Sequence, residues 1–89
     1  MPYGEPKVLI VILNYKTPQL TLNLVDALKK IHYQAFDIMV IDNDSPDDSA
    51  KILGKYAQEK GFILYSNHVN AGYAAGNNIG IRYAIHHGY

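Results

Sequence analysis

The chain has no cysteine. That excludes disulfide staples, thiolate metal sites and a cysteine nucleophile, and it fits a reducing, cytoplasmic compartment. Charge of either sign is not in excess, since eight Lys and Arg offset eight Asp and Glu. A nucleic-acid partner is therefore not expected, because nothing supplies its electrostatic footprint. Long hydrophobic runs are missing too. The longest, Val8 to Leu13, is six residues, far below the ~20 that span a bilayer. Met1 to Lys7 has no apolar core of the kind a signal peptide carries. Low-complexity segments, linkers and repeats are also absent. What remains is 89 residues, 48% hydrophobic and 18% charged, a globular composition with room for one core.

The apolar residues sort into alternating elements. Val8 to Leu13 does not alternate and is β-branched at four of its six positions, which predicts a strand covered on both faces. Thr17 and Pro18 read as N-cap and first residue of a helix, with Leu20, Leu24, Leu28 and Ile31 at helical spacing and Val25 widening the stripe. Phe36 to Ile41 predicts a second buried strand. Ser45 and Pro46 are expected to open a second helix, with Asp47 and Asp48 in its first turn and Gly61 as its stop. Phe62 to Tyr65 predicts a third strand, and a small-residue helix runs from about Tyr73 to Ile85. Right-handed β-α-β crossovers then give an α/β fold, a Rossmann-like three-layer α/β/α sandwich with parallel strand order 3-2-1.

Each predicted strand ends in a polar cluster: Asn14-Tyr15-Lys16, Asp42-Asn43-Asp44-Ser45, and Ser66-Asn67-His68-Val69-Asn70. A parallel sheet brings all three to its carboxyl edge, where ligands of open α/β sheets bind. Asp42 is the most informative residue, a carboxylate at the tip of a buried strand. It can accept an N–H from a nucleobase, contact ribose hydroxyls, or satisfy the backbone donors of its own turn. The D-x-D spelled by Asp42 and Asp44 is a poor metal signal, because Asp44 enters a tight turn. Tyr15 can stack on a base. Gly72, Gly76 and Gly80 share one helical face, which suits close packing on the sheet rather than the G-x-G-x-x-G phosphate fingerprint. Gly72 can also present bare N–H groups at a helix start. Asn77 and Asn78 are poor helix formers kept for hydrogen bonds. The histidines lack the spacing of a metal site.

Three segments together resemble the family 2 glycosyltransferases of the GT-A fold. They are Val11 to Tyr15 followed by Pro18, Val40 to Ser49, and Asn70 to Gly80. The last, NAGYAAGNN, is similar to the rhamnosyltransferase-like branch that builds bacterial cell-surface polysaccharides. The resemblance implies a nucleotide-sugar site. In it Tyr15 and Asn14 lie beside the base, Asp42 accepts the imide N–H of uracil or thymine, Asn70 and Gly72 close over the nucleotide, and Asn77 and Asn78 lie near the donor. It implies a UDP- or dTDP-sugar donor, a glycan or lipid-linked acceptor, and hexosyl transfer, with rhamnose as the candidate sugar. It also implies that residues 1–89 are one truncated GT-A domain, the donor-nucleotide half of a longer enzyme working at the inner face of the membrane. The metal-binding D-x-D and the catalytic base would lie past Tyr89. No cofactor is expected in this chain itself, and Mg or Mn is expected in the full-length enzyme. Asp44 departs from the family, which usually has glycine there. The alternative is a non-catalytic α/β nucleotide-binding or interaction module. A first strand left at the sheet edge further predicts a homodimer through that strand.

Overall fold

The computed structural model describes residues 7–31, 35–67 and 72–89. Its element order is β1 (Val8–Asn14), α1 (Pro18–Leu28), β2 (Phe36–Asn43), α2 (Ser49–Lys60), β3 (Ile63–Asn67) and α3 (Tyr73–His86). The three strands are parallel in the order β1-β2-β3, the expected 3-2-1 arrangement. β2 lies at the centre, and every residue from Ile38 to Asn43 is buried.

Strand alternation assigns the helices to faces. Ile12, Ile38 and Val40 form one core cluster with Leu22 and Val25 of α1, Leu53 of α2, and Phe62. Val11 and Leu13 point the other way, into Gly80 and Gly76 of α3. Helices α1 and α2 therefore share one face and α3 covers the other, which gives three layers. A β-carbon placed on Gly80 would lie 2.6 Å from Val11 Cγ2, and one on Gly76 would lie 2.9 Å from Leu13 Cδ2. The glycine face is what lets α3 approach the sheet so closely.

Several boundaries differ from the sequence reading. Each strand reaches further toward its polar end, so Asn14, Asp42, Asn43, Ser66 and Asn67 lie within strands rather than loops. Helix α2 begins at Ser49, with Asp48 rather than Ser45 at the N-cap. Ser45 is unavailable for capping because its hydroxyl donates to Asp42 and accepts the Lys16 N–H. The Asp47 carboxylate instead takes the N–H of Ser49 at 3.0 Å. In α1 the buried positions are Thr21, Leu22 and Val25, while Leu20 (67% exposed), Leu24 (45%) and Ile31 (48%) stand at the surface. The helix is rotated so that Thr21 reaches Asn14 and Val25 reaches the core. Gly61 ends α2 in the left-handed conformation, as expected.

Candidate functional site

The carboxyl edge of the sheet carries two polar networks, one on each face. On the α1 face, β1 and β2 are in register with Asn14 beside Asp42. Asn14 is 0% exposed and Asp42 is 2% exposed. Burial of an amide and a carboxylate requires partners, and both have them. Asn14 Nδ2 donates to Asp42 Oδ1 at 2.9 Å. The Ser45 hydroxyl donates to the same oxygen at 2.6 Å. Among the described residues Asp42 Oδ2 accepts only the Ser45 backbone N–H, at a long 3.4 Å. Asn14 Oδ1 in turn accepts the hydroxyls of Thr21 at 2.7 Å and Thr17 at 3.4 Å.

Local backbone geometry holds this knot closed. Lys16 has φ +62° and Asp44 φ +58°, two left-handed residues that turn the chain sharply after β1 and β2. The turn at Lys16 aims its N–H at Ser45 Oγ, 3.0 Å away. Thr17 occupies the N-cap of α1, yet its side chain makes no capping bond to the helix. It reaches back to Asn14 instead. Tyr15 projects from the same edge, 43% exposed, with Lys16 Nζ 5.3 Å from its ring centroid. The open ring offers a surface on which a base can stack.

On the α3 face, Asn67 Nδ2 donates to Asn43 Oδ1 at 3.1 Å, and Asn43 Nδ2 donates to the carbonyl of Gly72 at 3.4 Å. These bonds tie β2, β3 and the start of α3 together. Gly72 has φ +90°, a conformation that L side chains rarely adopt. Asn77 is half-buried and Asn78 exposed in α3, and neither side chain makes a hydrogen bond among the described residues. Asn70, placed in the site by sequence, lies outside the described residues, as does His68. The structure thus brings Asn14, Tyr15 and Asp42 together and puts Gly72 across the sheet from them. Sequence reasoning put Asn43 and Ser45 at this edge without a role in the site, and it missed Thr21. Thr21 sits where a helix reading expects a core-facing polar exception, and that was its only signal.

The D-x-D of residues 42–44 does not fit a divalent cation. Asp42 points into its hydrogen-bond network, Asn43 faces the opposite layer, and Asp44 is exposed. Among the described residues no three His, Asp or Glu side chains converge as a metal-binding group. Likewise no helix is long and apolar enough to cross a membrane.

Comparison with known proteins adds a family and a fold. The profile of Glycosyl transferase family 2 matches residues 8–86. No curated protein sequence matches the chain. Among solved structures, a mannosyltransferase from Pyrobaculum calidifontis, in complex with GDP-Man and Mn2+, is similar with a TM-score of 0.80 at 20% identity. The match covers 93% of this chain and 26% of the mannosyltransferase chain, so the chain spans about a quarter of that protein's length. The likeness shows that the β-α-β-α-β-α unit is the corresponding part of a GT-A fold.

Proposed function

Because this chain belongs to Glycosyl transferase family 2, we propose that its carboxyl edge binds the nucleotide of an activated sugar, within an enzyme that transfers the sugar to an acceptor hydroxyl. The observation that carries this reading is the Asp42 carboxylate at the tip of β2, with one oxygen tied off by Asn14 and Ser45 and exposed Tyr15 beside it. Tyr15 stacks on the base, and Asp42 Oδ2 accepts its ring N–H. Asn70 and Gly72 close over the nucleotide, and Asn77 and Asn78 lie near the donor. The ring N–H of uracil or thymine suits a lone carboxylate acceptor, so UDP- or dTDP-sugars are the proposed donors. The rhamnosyl reading and a polysaccharide acceptor rest on the NAGYAAGNN resemblance alone.

The residues present would bind and orient the nucleotide. Among the described residues no side chain is placed as a base for an acceptor hydroxyl and no group fits a cation, so no transfer step is assigned to them. The 89-residue chain is accordingly expected to transfer no sugar above a protein-free control, and detectable turnover would refute this division of labour.

NMR titration with UDP, dTDP and ADP tests the binding reading. UDP and dTDP should shift the amides of residues 14–16 and 42–45, while ADP, which lacks a ring N–H, should shift them far less. Equal shifts from all three, or none at residues 42–45, would overturn it.

A further inference from the structure

The hydrogen bonds around Asp42 also bear on which bases it can take. An ionised carboxylate has two oxygens and about four acceptor sites. In this structure Oδ1 carries two donors, Asn14 Nδ2 at 2.9 Å and Ser45 Oγ at 2.6 Å. Oδ2 carries the Ser45 backbone N–H at 3.4 Å. Among the described residues three of the four sites are taken, and the one left is on Oδ2.

None of the bound donors is easily given up. The Ser45 hydroxyl is held in place by the Lys16 N–H, which it accepts at 3.0 Å. Asn14 is fully buried, and the Thr21 hydroxyl on its Oδ1 at 2.7 Å keeps its NH2 group turned toward Asp42. Rotating that amide would set its oxygen against the carboxylate and its NH2 against a hydroxyl that is already donating.

We infer that Asn14 and Ser45 are specificity-determining residues, which reduce Asp42 to a one-bond acceptor and so select bases with a single ring N–H over guanine. The inference rests on the reading of Asp42 as the base acceptor and extends it to discrimination. Uracil and thymine present one N–H between two carbonyls, which matches one free acceptor site. Guanine presents its ring N–H and an exocyclic N–H side by side, and pairs best with both oxygens of a carboxylate. Here Oδ1 is closed to it, so one guanine donor would be desolvated without a partner, a cost that governs discrimination in polar sites. Adenine and cytosine have no ring N–H on their pairing edge and are excluded by Asp42 itself.

Competition binding of UDP against GDP on the full chain, followed by NMR, tests this. UDP should bind roughly tenfold more tightly than GDP, the equivalent of one missing hydrogen bond to a charged group. Ser45→Ala frees one site on Oδ1 and should narrow that ratio severalfold, GDP gaining relative to UDP. Ser45→Thr keeps the hydroxyl and should keep the wild-type ratio. If UDP shifts residues 42–45 but GDP binds equally well to the wild-type chain, the discrimination is wrong and the acceptor role of Asp42 stands. If UDP leaves residues 42–45 unmoved, the acceptor role fails and the discrimination falls with it. The wild-type comparison decides both points even if Ser45→Ala does not fold.

Discussion

Asp44 and Lys16 hold the two left-handed turns at the site, at φ +58° and +62°. For an L residue that conformation costs roughly 1–2 kcal/mol, with Asp and Asn least penalised. Glycine avoids the strain but brings its own entropic cost of about 0.5–1 kcal/mol. Asp44→Gly should therefore raise the unfolding free energy by only about 0.5 kcal/mol, and Lys16→Gly by somewhat more, because Lys has no short polar side chain to ease the turn. Urea denaturation checks both, and destabilisation by either would mean that its positive φ carries no strain. The departure from the family's glycine at position 44 is thus a tolerated one, and Asp42 keeps its register. Asp42 itself was legible from sequence as a carboxylate ending an apolar run. Its partners were not. Thr21 lies seven positions from Asn14, and Ser45 meets Lys16 across 29 positions, so only the register of β1 against β2 reveals that they belong to one network.

At the scale of elements, the glycine face of α3 was legible for Gly76 and Gly80, whose four-residue spacing puts them on one side of a helix, while Gly72 falls at the N-cap, where an added β-carbon would touch nothing in the sheet. The strength of the two close contacts differs, and that yields a prediction. Gly80 meets Val11 at Cγ2 (2.6 Å), Cγ1 (2.8 Å) and Cβ (3.3 Å), the stiff base of a β-branched side chain. Gly76 meets the far end of Leu13, at 2.9 Å and beyond, which can turn aside. Gly80→Ala should destabilise by about 1–3 kcal/mol through overpacking. Gly76→Ala should be near neutral, since the gain of roughly 1 kcal/mol in helix propensity offsets a milder clash. Thermal melts of the two variants should rank them in that order, and the reverse order would misplace α3. The stripe of Leu20, Leu24 and Ile31 was misread for a related reason. Periodicity finds a face but not which of two neighbouring faces turns inward, and the Thr21–Asn14 bond decides that.

The whole molecule is fastened at both edges of its sheet. Opposite the site, the Tyr89 hydroxyl donates to Asp37, and Lys7 lies 3.7 Å from the same carboxylate and 4.8 Å from the Tyr89 ring centroid. The bond to Asp37, with some burial and the carboxylate's charge, pushes the Tyr89 hydroxyl up to about 12. Because the folded state favours the protonated phenol, the bond stabilises fully below the ordinary value near 10 and is lost as pH climbs toward 12. Denaturant midpoints across that window should fall less steeply in Tyr89→Phe than in the wild type, and parallel curves would count against the contact. Along its outer side β1 has no strand partner among the described residues, and light scattering at rising concentration should show a dimer if that edge pairs. The test belongs to the edge alone, since Val11 is packed on Gly80 and a charge placed there would disturb α3. The in-register pair of Asn14 and Asp42 has a consequence for folding itself. Val8 to Leu13 and Ile38 to Ile41 are both uniformly apolar, so sliding one past the other by two residues would keep every side chain on its own face. That slip would set Asn14 against Val40 and strand two buried polar groups, at about 1–3 kcal/mol each. The network is thus also a proofreader of strand alignment, and Asn14→Leu should release it, doubling the amide signals of β1 as a second alignment becomes populated.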